Sequence, residues 1–154
     1  MRVVLQRVLS SQVEVNGQTV GAIQRGWLAL LGIGIGDSKE DADYLADRCV
    51  KLRGFSDANG KMNLSVQDVG GSVLVVSQFT LYGDCQRGRR PSFDKASPPD
   101  VAKELYEYFC KQIETARVPV QCGVFQADMQ VTLTNDGPVT FLLERGICGQ
   151  GLAG

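Results

Sequence analysis

The chain has 154 residues, 44% of them hydrophobic and 21% charged, with a net charge of −1. This suits a folded domain with a real core, gives no global field that would draw nucleic acid, and contains no apolar run near the roughly 20 residues of a membrane helix. Histidine is absent, which excludes Ser-His-Asp and Cys-His catalysis and every imidazole metal site.

In chain order, residues 2–8 (R-V-V-L-Q-R-V) and 12–15 (Q-V-E-V) are expected as two strands, the second alternating cleanly. An arginine inside the opening apolar run argues against a secretory signal, so the expected setting is the cytoplasm. Asn16-Gly17 is a strong hairpin signal before T-V-G-A-I, and the apolar run W-L-A-L-L-G-I suits a buried strand. G-I-G-I-G-D at 32–37 invites a dinucleotide-binding reading, but Asp37 stands where the third glycine belongs. Ser38 with Asp41 resembles a capping box, and Ala42, Leu45, Cys49 and Leu52 give the stripe of a helix ending at Arg53-Gly54.

Residues 72–81 (S-V-L-V-V-S-Q-F-T-L) are expected as a central strand. Ser97-Pro98-Pro99-Asp100 then supplies a cap and a first-turn proline for a second helix, with Val101, Leu105, Phe109 and Ile113 as its buried stripe. Val118 to Glu144 is expected as strands again, before a Gly-rich tail. The expected fold class is α/β: a two-layer mixed domain over residues 1–145, with barrel-like strands and two helices packed on one side. Residues 146–154 are expected as a flexible tail.

The five cysteines, Cys49, Cys85, Cys110, Cys122 and Cys148, form no close pairs. An odd count without C-x-x-C spacing argues against a disulfide framework or zinc site, leaving them as small hydrophobes. The loop Q-R-G-R-R-P-S-F-D-K at 86–95 concentrates basic residues. Arg87, Arg89 and Arg90 there are candidate phosphate contacts, with a solvated loop as the plain alternative.

Two segments offer chemistry. Ser77, Gln78, Phe79 and Thr80 put polar groups at the end of an apolar strand, where backbone N–H groups and a hydroxyl can be held in place. The plain alternative is a strand leaving the core, with Thr80 present for β propensity. Asn135-Asp136-Gly137-Pro138 breaks two β-branched runs, and taken alone it is best read as a hairpin turn.

S-Q-F-T-L and N-x-G-P-V-T together, in this order, resemble the D-aminoacyl-tRNA deacylases. The resemblance extends to M-R-V-V-L-Q-R-V, to G-K-M-N-L-S from Gly60, to G-R-R-P-S-F from Gly88 and to G-V-F-Q-A-D-M from Gly123. It implies hydrolysis of the ester joining a D-amino acid to the 3′-terminal adenosine of tRNA, without metal or other cofactor. It also implies a homodimer in which a cis Gly137-Pro138 peptide reaches into the partner's pocket. By the same resemblance Ser77 to Thr80 lie across the reacting ester, Met129, Phe125 and Asn135 belong to the substrate pocket, and Arg7 braces the Gly-Pro loop.

A wall of backbone carbonyls would reject any L side chain by collision, and would admit glycine at least in part. The substrate's own 2′-hydroxyl would assist the chemistry, with backbone N–H groups at Phe79 and Thr80 holding the oxyanion. Thr80 as a nucleophile stays open, although no evident base accompanies it. Two rivals remain: a non-catalytic RNA-binding module using the arginine loop, and an esterase for small esters.

Overall fold

The computed structural model describes residues 1–146, so all but the first residue of the expected tail, and Cys148 with it, lie outside the described residues. The strands are β1 (Arg2–Val15), β2 (Gln18–Ile23), β3 (Gly26–Gly32), β4 (Phe55–Ser56), β5 (Met62–Leu64), β6 (Ser72–Ser77), β7 (Val120–Cys122) and β8 (Gln130–Glu144); the helices are α1 (Lys39–Lys51) and α2 (Pro99–Thr115). A six-stranded sheet runs β2-β1-β3-β6-β7, with β8 also paired to β1. β1 is antiparallel to β2, β3 and β8, whereas β3, β6 and β7 are mutually parallel. Parallel neighbours need long crossovers, and α1 and α2 lie in the two that this chain uses.

The sheet curls until it nearly closes. A Cβ at Gly21 on β2 would stand 3.0 Å from the Cys122 carbonyl oxygen on β7 and 3.2 Å from Leu74, so the absent side chain is what lets the two edges approach. Closure gives every strand an inside and an outside. Val8, Val13, Ile23, Leu28, Leu74 and Val76 fill the barrel interior. Val3, Leu5, Trp27, Ala29, Val73 and Val75 face outward against Leu45, Cys49, Phe109 and Ile113 of the helices. With both faces buried, β3 and β6 are apolar at nearly every position. The barrel-like mixed sheet with two helices matches the expected architecture.

Asn16 and Gly17 make the expected hairpin with φ of 51° and 75°, the left-handed pair of a tight two-residue loop. The capping box is present in full: Ser38 accepts from the Asp41 N–H, and the Asp41 carboxylate accepts from the Ser38 N–H. Burial pushes the Cys49 thiol well above its usual range, in keeping with a cysteine used as a core hydrophobe.

Five local expectations are corrected. The two opening strands are one continuous β1, because its partner changes from β3 to β2 along its length while β8 pairs with it on both sides of that change. The central strand stops at Ser77, and residues Phe79–Tyr82 form a 3-10 turn. Ser97 does not cap α2; Pro98 holds that position without a side-chain hydrogen bond. Val101 is exposed, and Tyr106 and Cys110 are buried on α2 in its stead. Residues 135–138 are no hairpin turn, since β8 passes through them and remains paired to β1 on either side. Among the described residues, no helix is long and apolar enough to cross a membrane.

Candidate active site

A cavity of about 540 Å³ opens where the parallel strands β3 and β6 end, the usual position for a ligand in sheets of this kind. Ser77, Gln78 and Phe79 form one wall, Phe125 and Met129 another, and Ala96, Ser97 and Ala102 the side toward α2. Met129 also packs against the barrel core. Phe125 is steadied from behind by the Tyr106 ring at 5.7 Å. The Tyr106 hydroxyl donates to the Val75 carbonyl oxygen at 2.9 Å, and burial, then the neighbouring Cys110, pushes its pKa far up. It acts there as a fixed strut and not as an acid.

The 3-10 turn leaves two donors open. The Phe79 and Thr80 N–H groups begin the turn, where no preceding carbonyl is in register. Neither has a hydrogen-bond partner among the described residues, whereas the next N–H, that of Leu81, bonds to the Gln78 carbonyl oxygen at 3.2 Å. The Gln78 N–H donates to the Leu31 carbonyl oxygen at 2.8 Å, pinning the start of the turn to β3. The Gln78 side-chain amide donates to the Thr80 hydroxyl oxygen at 2.5 Å. That is the one partner of the Thr80 hydroxyl among the described residues. A donor there orients the hydroxyl but cannot take its proton.

The Gly-Pro segment is built differently. Gln6 pairs with Thr140 and Val8 with Asn135, so Arg7 alone lies opposite residues 136–139, an extended β-bulge. The Gly137-Pro138 peptide is cis and Gly137 has φ +121°, a conformation that disfavours any side chain. A Cβ on Gly137 would also meet Val139 at 2.8 Å and Arg7 Nη2 at 3.0 Å.

Arg7 is 8% exposed. Its Nη1 donates to the Gly54 carbonyl oxygen at 2.8 Å, and its Nε faces Asp136 Oδ2 at 3.1 Å as an ion pair, off the alignment of a hydrogen bond. From the other side the Asn135 side chain accepts from the Val139 N–H at 3.0 Å and donates to the Thr140 hydroxyl at 3.1 Å. Asn135 therefore closes the bulge on itself.

Ser77, Gln78, Phe79, Phe125 and Met129 are thus brought together around one cavity, with Thr80 on the adjoining turn. Gly137, Pro138, Asn135 and Arg7 do not line it. Arg87, Arg89 and Arg90 lie exposed on the loop after the turn. Asp136 and Gly54 hold Arg7 in place, and the sequence reading had missed both. Asp136 carried a signal, as an acid beside the glycine; Gly54 carried none, since only the tertiary fold brings it to Arg7. G-I-G-I-G-D is accounted for without a nucleotide: Asp37 pairs with the Met1 amino nitrogen at 2.5 Å and accepts from the Gly34 N–H at 2.6 Å. No group of three or more Cys, Asp or Glu among the described residues is placed to hold a metal.

Residues 4–144 match the D-Tyr-tRNA(Tyr) deacylase family. The chain belongs to this family. It is 58% identical over 144 residues to a D-aminoacyl-tRNA deacylase of Geotalea uraniireducens, covering 94% of this chain and 93% of that one. It is 56% identical to the D-aminoacyl-tRNA deacylase of Thermosipho africanus, covering 94% and 97%. Among solved structures, a protein named as a c-Myc DNA unwinding element binding protein superposes with a TM-score of 0.89 at 38% identity, covering 94% of this chain and 99% of that one.

Proposed function

We propose that this deacylase removes D-amino acids from the 3′-terminal adenosine of tRNA at the cavity beside Phe79, and that Gly137 and Pro138 of a second copy select the hand of the amino acid. The hydrolase activity on D-aminoacyl-tRNA, a proofreading step, follows from the family. The stereochemical part is carried by one observation: an exposed Gly-Pro segment, clamped by Arg7 and Asn135, takes no part in lining its own chain's cavity. If that segment contacts substrate, it does so in another copy. Two chains related by a two-fold axis would each complete the other's site.

In this reading the ester carbonyl lies over the 3-10 turn, and the open Phe79 and Thr80 N–H groups receive the developing oxyanion. Such a donor contributes roughly 10²–10³ in rate. The ribose 2′-hydroxyl next to the ester assists the attacking water or the departing oxygen. Thr80, held by Gln78, positions and does not attack. Met129 and Phe125 give the cavity its apolar wall. The partner's Gly137 and Pro138 carbonyls meet the α-carbon on the side where an L side chain would project. A D side chain points away, and glycine has nothing to collide.

Single-turnover deacylation of D-Tyr-tRNA, L-Tyr-tRNA and Gly-tRNA tests this, with Thr80→Ala alongside. Expected are fast loss of D-Tyr, partial loss of Gly, survival of L-Tyr, and a Thr80→Ala rate within about tenfold of wild type, since an orienting hydroxyl contributes far less than a nucleophile. Equal hydrolysis of both hands would remove the selector. A folded but inactive Thr80→Ala would return the hydroxyl to the chemistry.

A further inference from the structure

Phe79 places one face toward the cavity and leaves 58% of its surface exposed. Its outer neighbour is Phe93, edge-on with ring centroids 5.0 Å apart. Phe93 is tied to the cavity rim, because its carbonyl oxygen accepts from the Ala96 N–H at 2.9 Å and Ala96 lines the wall. Phe93 also roots a hairpin. Asp84 and Ser92 exchange both backbone hydrogen bonds, at 2.7 and 3.0 Å, and the tip turns at Gly88 with φ +69°.

That tip carries Arg87, Arg89 and Arg90. All three are exposed, and none has an ion-pair or hydrogen-bond partner among the described residues. Arg87 stands four steps along the chain from Gly83, beside the turn, a reach of at most about 14 Å. The exposed Phe79 ring, its partly buried neighbour Phe93 and three unneutralised guanidinium groups thus border one rim of the cavity. Aromatic rings braced edge to face beside clustered cations fit a flexible polyanion whose units carry flat rings, which is single-stranded nucleic acid. A protein partner would use the aromatics but leave three adjacent cations uncompensated.

Resting on the deacylase reading, we propose that Phe93 and Phe79 form a platform on which a base upstream of the terminal adenosine stacks, while Arg87, Arg89 and Arg90 hold the phosphates of that single-stranded 3′ end. The cavity then takes the esterified nucleoside, and the platform supplies the affinity that distinguishes tRNA from the nucleoside ester alone.

The test compares kcat/KM on D-Tyr-tRNA with kcat/KM on D-tyrosyl-adenosine, and adds fluorescence anisotropy of a labelled oligoribonucleotide ending in C-C-A. Phe93→Leu is expected to lower the tRNA-to-nucleoside ratio about tenfold, in the range of one base stacked on an aromatic ring, and Phe93→Tyr to restore it. Replacing all three arginines by glutamine is expected to reduce the salt slope of oligonucleotide binding by about 2.

Equal losses on both substrates would assign Phe93 to local packing and overturn the proposal. So would a wild-type ratio together with a wild-type salt slope, which would leave the surface to a protein partner. Wild-type protein that hydrolyses neither substrate would defeat the deacylase reading. Oligonucleotide binding would still decide the platform: salt-sensitive binding lost in the arginine variant supports it, and absence of binding refutes it.

Discussion

β8 and β6 each give up their ladder near the proposed site, and they do so in opposite ways. β8 is broken at residues 136–139 but continues, because Arg7, Asn135 and Asp136 supply the bonds that the ladder loses there. β6 ends at Ser77 in a turn whose first two N–H groups have no partner among the described residues. One region spends side chains to hold a bare backbone rigid; the other leaves backbone donors open and exposed. The difference suits the roles proposed for them: a selector needs a surface that does not yield, and a reaction site needs donors whose partner arrives with the substrate.

Gly137→Ala should break the first region most severely. A methyl group would meet Val139 and Arg7 at 2.8 and 3.0 Å in a backbone conformation that disfavours it. A shift of about 1 Å at the selector is expected to slow D-Tyr-tRNA deacylation roughly 10²-fold in a folded protein, measured by single turnover with circular dichroism as the control. Unchanged rates would show that the bulge has no part in catalysis.

Arg7→Met should act on the same region through its support. It strands the Gly54 carbonyl and half-buried Asp136, and is expected to lower stability by about 2 kcal/mol and to let L-Tyr-tRNA be hydrolysed. Urea unfolding and the D-to-L rate ratio check the two effects separately. Stability lost with selectivity intact would limit Arg7 to folding.

The smallest effect is expected outside both regions. Asp57 holds the turn between β4 and β5. Its carboxylate lies below its usual range, first through the Lys61 N–H and then through the Asn63 amide. A depressed carboxyl contributes stability above its ordinary value of about 3.9 and loses it as pH falls through the lowered one. Asp57→Asn should therefore flatten the acid end of the stability–pH curve, with the D-to-L ratio at neutral pH as in wild type. A changed ratio would mean that selectivity is sensitive to loosening anywhere in the fold.

Much of the architecture was legible because its signals are local. Asn16-Gly17, the Ser38–Asp41 box and the apolar run of β3 each encode their structure within a few residues. Where reading failed, the cause lay elsewhere in the chain. Asn135 to Pro138 has the composition of a turn, and the strand continues there only because Arg7, on a neighbouring strand, fills the gap. Thr80 has a strand former's side chain, yet the chain turns at Phe79 once Gln78 is tied to Leu31. Ser97 looked like a cap, but Pro98 occupies that position. Pairing Phe125 and Met129 with Ser77 needed the family resemblance, since no spacing in sequence joins them.

If the selector of one chain serves the cavity of another, two differently impaired chains should restore each other when mixed. Gly137→Ala displaces the Gly-Pro segment against the substrate, and Ala102→Phe fills the cavity; each folded variant alone should be slowed roughly 10²-fold or more on D-Tyr-tRNA. Exchanged at equal amounts, half the dimers are mixed, and each mixed dimer holds one site with both parts intact, so about a quarter of wild-type activity should return. A mixture no more active than its two components would place selector and cavity in the same chain and rule out the exchange across the dimer.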